Sequence, residues 1–255
     1  MPTDIEIRHC ETVLEYHECE RLEGIIWGLG ITVPSGIFVV AHHTGGQIIG
    51  AFDGGKMIGF TLALAGVRNG ASFIHSHMTA VLPEYRDQGV GRRLKLFQRQ
   101  DALKHGIRLV EWTFDPLELK NAHFNLVRLG AIARRFIPNC YGVTESPLHA
   151  GLPTDRLVAE GWLDSERVKN ILADNALPAK DTAARISLPS NLGDIKASDR
   201  DAGVRIQSAM RDQFQKYFAE GYVATSVERR DTSTEYILEP AAQIAGLKLP
   251  EAHKH

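Results

Sequence analysis

Residues 81–94 constrain this chain more than any other stretch. They read Val81-Leu-Pro-Glu-Tyr-Arg-Asp-Gln-Gly-Val-Gly-Arg-Arg-Leu94. A strand ends at Pro83, a short basic loop containing Gly89 and Gly91 follows, and a helix begins at once. The first N–H groups of a helix have no partner in its own ladder, and together they carry about half a positive charge. Such a junction suits an anion, phosphate above all. Glycines without Cβ atoms let backbone amides approach a phosphate oxygen closely. Arg86, Arg92, Arg93, Lys95 and Arg99 add a local basic cluster. The plain alternative is a strand–turn–helix with solvated arginines.

The rest of the composition makes any such site local. The 255 residues carry a formal net charge of −2, so no global field draws in nucleic acid or an acidic membrane. Hydrophobic residues make up 44%, enough for a sizeable buried core. Cys10, Cys19 and Cys140 are sparse and lack CxxC spacing, which argues against a disulfide framework or a zinc site. His42-His43 and the terminal His253-Lys254-His255 lack metal-ligand partners at useful spacing, so no metal is expected. The first residues are polar and acidic, unlike a secretory signal, and no apolar run nears the ~20 residues that span a bilayer. A cytoplasmic location is the expectation.

Periodicity outlines the elements. A short strand at Ile5–Ile7 and a helix over Thr12–Trp27 come first. The stretch Ile31–Gly45 reads equally as strand or helix. Strands follow at Gln47–Phe52, Met57–Val67 and Ser72–Leu82, joined by turns at Asp53-Gly54-Gly55 and Asn69-Gly70. A helix over Gly91–His105, a strand over Ile107–Phe114, a helix over Leu119–Leu129 and an extended run over Ile132–Tyr141 continue the pattern. Further on come a strand at Asp155–Leu163, a helix at Ser165–Leu172, a linker at Pro178–Asp181 and a strand at Ile186–Pro189. An amphipathic helix capped by Ser198 or Asp199 runs to Glu220. A hairpin over Tyr222–Leu238 and a mobile tail after Pro240 complete the reading. A meander followed by alternating strands and helices is a mixed sheet, of the α+β or mixed α/β class.

The longer pattern V-x-P-x-x-R-x-x-G-x-G-x-x-L, on a strand–loop–helix, resembles the acyl-CoA-binding motif of the GNAT (Gcn5-related N-acetyltransferase) superfamily. A dinucleotide fingerprint needs a third glycine, and a P-loop needs Gly-Lys-Ser/Thr; neither is present. The order of elements matches the family over roughly residues 4 to 163. The phrases Trp112-Thr-Phe-Asp-Pro116, Asn121-Ala-His-Phe-Asn125 and Gly151-Leu-Pro-Thr-Asp-Arg156 resemble a group of enlarged bacterial GNAT proteins of unsettled substrate. The resemblance implies a GNAT fold, a mostly antiparallel sheet flanked by helices. It divides the chain into an acyl-CoA-binding core at 1–163 and a C-terminal α/β extension at 164–255. The extension either walls the acceptor pocket or forms a homodimer surface through the Ala202–Phe218 helix.

What the resemblance implies for function is amine acylation, with acetyl-CoA or another acyl-CoA as co-substrate and a small-molecule or peptide amine as acceptor. The amides of Gln88, Gly89, Val90, Gly91 and Arg92, with the Arg86 side chain, would hold the pyrophosphate. The backbone at Val81 would pair with the pantetheine arm like an added strand, and Asn121 would contact the cofactor. Alternation along Phe73–Val81 puts His75, His77, Thr79 and Val81 on one face. His75 and His77 are candidates for the base, against the alternative of structural histidines. Glu111 stands out in an apolar strand and would bind the amine or act as the base, against a salt-bridged alternative. The tyrosine that many family members use as proton donor is replaced here by Leu126, leaving Tyr141 and Tyr85 as substitutes. That departure keeps open a non-catalytic acyl-CoA sensor or assembly protein.

Overall fold

The computed structural model describes residues 5–28, 32–142, 151–175 and 183–244. The chain divides into two compact units, Met1–Trp112 and Thr113–His255.

In the first unit the strands are β1 (Glu6–His9), β2 (Gln47–Asp53), β3 (Lys56–Arg68), β4 (Ala71–Val81) and the first part of β5 (Leu109–Phe114). They lie in that order; β1 to β4 are antiparallel neighbours, and β5 is parallel to β4. Helix α1 (Val13–Trp27) begins with a capping box, in which Thr12 and Glu15 satisfy each other's backbone amides. The ambiguous stretch is helix α2 (Ser35–His43). Tertiary contact decides it: Phe38 is fully buried and meets Phe60 of β3. Carboxylates of α1 hold its entry, Glu23 accepting from the Val33 amide and Glu20 from the Ser35 amide. Helix α3 (Val90–Lys104) covers the opposite face of the sheet. Alternation along β3 places Phe60, under α2, and Ala63, the register partner of Ser76 that meets α3, on opposite sides.

One expectation fails in β4. Leu62 pairs with Met78, but Ala63 pairs with Ser76, so His77 is an extra residue, a β-bulge. Alternation reverses across it. His75, opposite Leu64, and Val81, opposite Gly59, therefore lie on different faces. A period of two cannot reveal a residue that the ladder skips.

The second unit holds the end of β5, then β6 (Ile132–Ile137), β7 (Arg156–Trp162), β8 (Ala184–Pro189), β9 (Tyr222–Arg229) and β10 (Ser233–Pro240). Here the order is β7-β6-β9-β10-β8, all antiparallel. The helix expected over Leu119–Leu129 is only partly α: α4 (Leu119–His123) runs into a π-helical turn at Phe124–Arg128. Helix α5 (Glu166–Leu172) is capped by the Ser165 side chain. A short helix α6 (Leu192–Ser198), which periodicity did not suggest, precedes α7 (Arg200–Ala219), capped by Asp199. On α7 the buried positions are Gly203, Gln207, Met210 and Phe214, and Phe214 packs on Phe136 and Tyr236. The tail is ordered further than expected: Ala241–Gln243 form a turn, and Ile244 is buried with Ile132 and Val223. The linker at Pro178–Asp181 and the terminal histidines lie outside the described residues. Among the described residues no helix is long and apolar enough to cross a membrane.

A side chain of the next helix ties the π-turn to the Gly130 cap and to β9. Buried Arg167 of α5 donates to Gly130 O at 3.1 Å, Leu126 O at 3.2 Å and Thr225 O at 2.5 Å. Removing it orphans three buried acceptors, each worth about 1–3 kcal/mol. Arg167→Met should therefore lower the urea midpoint by an amount equivalent to about 3 kcal/mol or more, with the m-value unchanged. An unaltered midpoint would show that these bonds add nothing net.

Candidate functional site

The loop between β4 and α3 has the geometry of an anion cradle. A 3₁₀ turn at Pro83–Tyr85 leads out of the strand. Asp87 and Gly89 both take positive φ, 59° and 79°. Gly89 is the N-cap of α3 and offers no side chain to the helix amides. The first backbone bond of α3 is Arg93 N–H to Gly89 O, at 3.0 Å. The amides of Val90, Gly91 and Arg92 thus precede the helix's own ladder and face the helix origin, where its dipole is positive. Gln88 donates to Glu84 O and Arg86 donates to Val81 O, bracing the loop from both sides.

The basic cluster read from the sequence is dispersed. Arg86 and Arg93 are exposed, but Arg93 reaches back to the Ile5 carbonyl. Lys95 is 9% exposed and lies under the sheet. Helical spacing sends the residues of α3 to different sides of the helix.

Beside the loop, β4 and β5 pair at Ile74–Val110 and His75–Glu111. From Ser76 onward β4 continues along β3 to Val81. His75 and Glu111 are thus direct cross-strand neighbours on one face. Burial lowers the His75 imidazole below the usual histidine range, with His77 adding to the effect and Glu111 opposing it. The two imidazole rings are 6.2 Å apart. Glu111 is 3% exposed, and Arg68 holds its carboxylate at 2.7 Å. Arg68 also lies over the Phe73 ring, 4.3 Å from its centroid. Nothing in the sequence singles out Arg68, because its partner is 43 residues away.

Asn121 and Tyr141 belong to the second unit. Asn121 is exposed, and its Oδ1 accepts from buried Asn125 at 3.4 Å. The Tyr141 ring is 50% exposed, its hydroxyl 3.0 Å from Thr113 Oγ1 and its face 5.3 Å from the Arg156 guanidinium. Leu126, where the family's tyrosine would stand, is fully buried. Tyr85 donates its hydroxyl to Asp53 at 2.7 Å. Cys10, Cys19 and Cys140 are free thiols. Among the described residues, no three His, Cys, Asp or Glu side chains group closely enough to hold a metal.

Residues 8–130 match the acetyltransferase (GNAT) family. Over that segment the chain belongs to the GNAT superfamily. Solved structures show the same fold. The ribosomal-protein-S18-alanine N-acetyltransferase of Escherichia coli is 17% identical, covers 61% of this chain and 92% of its own, and superposes with a TM-score of 0.50. Naa50 of Arabidopsis thaliana, solved in complex with the bisubstrate analogue CoA-Ac-MVNAL, is 14% identical over 61% of this chain and 97% of its own, again with a TM-score of 0.50. A GNAT-family acetyltransferase of Streptococcus pneumoniae gives 16% identity, 62% and 98% coverage and the same TM-score. No curated protein matches the chain.

Lys95 is the feature of this region that sequence reading placed wrongly. The available signal was its position one residue after Leu94 on the stripe Leu94, Gln98, Ala102, which is buried. Burial pushes its amine down to about 7. A lysine freed by unfolding titrates near ~10.4, so between about pH 7 and 10 the unfolded chain binds a proton that the folded chain does not. The stability linked to Lys95 therefore rises with pH across that window and is lowest below pH 7. Urea midpoints of the wild type and Lys95→Met should differ most at or below pH 7 and converge toward pH 10. Parallel curves would mean that Lys95 keeps an ordinary pKa in the folded state.

Proposed function

We propose that this protein is an N-acyltransferase, carrying an acetyl or other acyl group from acyl-CoA directly to the amine of a small molecule or peptide. The observation that carries the reading is the junction of β4 and α3. An αL Gly89 and three amides ahead of the helix ladder face outward beside a strand that has just parted from its neighbour. The fit to the co-substrate is chemical as well as geometric. The loop suits a pyrophosphate, and the β4 edge from Ser76 to Val81 suits an extended arm with peptide-like amides. The core that performs this is proposed as residues 1–163, with 164–255 as the extension.

Acyl-CoA supplies an activated carbonyl, whose carbon forms a bond to the amine nitrogen as its bond to sulfur breaks. The Gln88–Arg92 amides and Arg86 hold its phosphates, and Val81 orients its arm. Holding two reactants together supplies roughly 7–11 kcal/mol of the barrier. His75 takes the proton that the amine loses; burial keeps its imidazole neutral at pH 7, as a base requires. The Glu111 carboxylate, paired with Arg68 and directly across from His75, favours the protonated form of the imidazole. His77 is the alternative base, Tyr141 a substitute proton donor to sulfur in place of the family's tyrosine, and Asn121 the cofactor contact that the resemblance implies. A second reading, a non-catalytic acyl-CoA binder, draws on one observation, the buried leucine at 126.

Acetyl-CoA at ~100 times its Kd should stabilise the protein by about 2.7 kcal/mol and raise its Tm by roughly 5–10 °C. Gly89→Asp should abolish the shift, because an L-residue is strained at φ 79° and a carboxylate there repels phosphate. No shift with saturating acetyl-CoA would overturn the reading.

For turnover, His75→Gln should lower kcat by roughly 10²–10⁴-fold with acetyl-CoA affinity retained. The acid limb of wild-type kcat/KM should fall below the ordinary histidine value of about 6.5. Thiol release measured over an amine panel checks both. Acetyl-CoA binding with no thiol release for any amine would favour the sensor.

A further inference from the structure

One buried group near the site has no part in the reaction just described. The Lys95 amine donates to Ser76 Oγ at 2.6 Å and to Gln98 Oε1 at 3.2 Å, and it lies 4.8 Å from the centroid of the Trp112 ring. Its position relative to the sheet is informative. The β4–β5 ladder ends at His75–Glu111. Ser76 and Trp112 are the next residues on each strand, the two that would pair if the ladder continued. The Lys95 side chain, rooted on α3, bridges these two residues. The indole N–H of Trp112 is buried without a hydrogen-bond partner among the described residues, and the Lys95 amine meets the ring face instead.

A buried amine is costly unless it is paired. An apolar residue would fill the α3 stripe at less cost, so a lysine in this place calls for a reason beyond packing. We infer that Lys95 is a positioning residue, a bracket between β4 and β5 that fixes where the strands part. It thereby holds the Ser76–Val81 edge of β4 open to the extended arm of acyl-CoA. The same bracket ties that edge to α3, the helix whose first turn forms the phosphate cradle. Cradle and open edge are thus kept in one geometry by a single side chain. The inference rests on the acyl-CoA reading and adds a residue that the phosphate-binding motif does not include.

The test separates the arm from the phosphates. Acetyl-CoA and adenosine 3′,5′-bisphosphate, which carries phosphates but no pantetheine arm, are titrated calorimetrically into wild type, Lys95→Met, Ser76→Ala and the double variant. Lys95→Met should weaken acetyl-CoA at least tenfold while leaving the bisphosphate within twofold of wild type. Ser76→Ala should move acetyl-CoA alone in the same direction, and the double variant should be no weaker than Lys95→Met, because both changes remove one bridge. Equal weakening of the two ligands would show a general structural role and overturn the inference, as would unchanged affinity for both. If Lys95→Met does not fold, Ser76→Ala decides by the same comparison. Absence of acetyl-CoA binding by wild type would overturn the acyl-CoA reading and this inference with it. Binding by wild type without selective loss in the variants would overturn this inference alone.

Discussion

The first unit depends on β4 leaving β5 after a single short stretch of pairing. Parallel strands normally stay in register because each backbone amide and carbonyl is costly to strand. Here the ladder covers Ile74–Val110 and His75–Glu111, while β4 goes on along β3 as far as Val81. The bulge at His77 falls two residues beyond the last pair. A bulge bends a strand and sharpens its twist, so it supplies the local change of direction that such a divergence requires. It also changes which side chains accompany the opening. His75 stays beside Glu111, while Thr79 and Val81 turn to the α3 face.

Charge is distributed around this opening by burial as much as by residue type. On one face Glu111 and Arg68 form a pair in which the carboxylate is almost fully enclosed, and desolvation lowers the pKa of His75 beside it. On the other face Lys95 is enclosed by Ser76, Gln98 and the Trp112 ring. The carboxylate–guanidinium pair and the amine lie on opposite faces of the sheet. In a medium of low polarizability, such groups keep their effects on neighbours that solvent would otherwise screen.

The second unit is tied by polar side chains at places where regular backbone pairing stops. Arg167 satisfies carbonyls at the π-turn and the Gly130 cap. Asp155, fully buried, receives two bonds from Arg211 of α7 and one from the Asn139 amide. Neighbouring Thr154 receives the Tyr141 amide. The phrase Gly151-Leu-Pro-Thr-Asp-Arg156, one of those that resemble the enlarged GNAT group, is in large part the anchorage of the 139–142 segment and of α7. Charge-assisted bonds to an enclosed carboxylate are strong and directional, which suits this use.

Local information was enough for much of this protein. The Thr12–Glu15 capping box, the Asn69-Gly70 turn, the glycines and arginines of residues 86–92 and the stop at Gly221 act within a few residues, and their placement was readable from the chain alone. So was membership of the family, because the loop between β4 and α3 is a contiguous motif. Helix α2 was not readable, since its composition suits a strand and only the burial of Phe38 against Phe60 selects the helix. Nor was the π-turn, whose stabilising Arg167 lies about 40 residues on. The bulge at His77, the Arg68–Glu111 pair and the burial of Lys95 were decided by tertiary structure for the same reason. Each depends on which strand or helix stands opposite, and a side chain's charge, partner and solvent exposure are properties of that neighbour as much as of the residue.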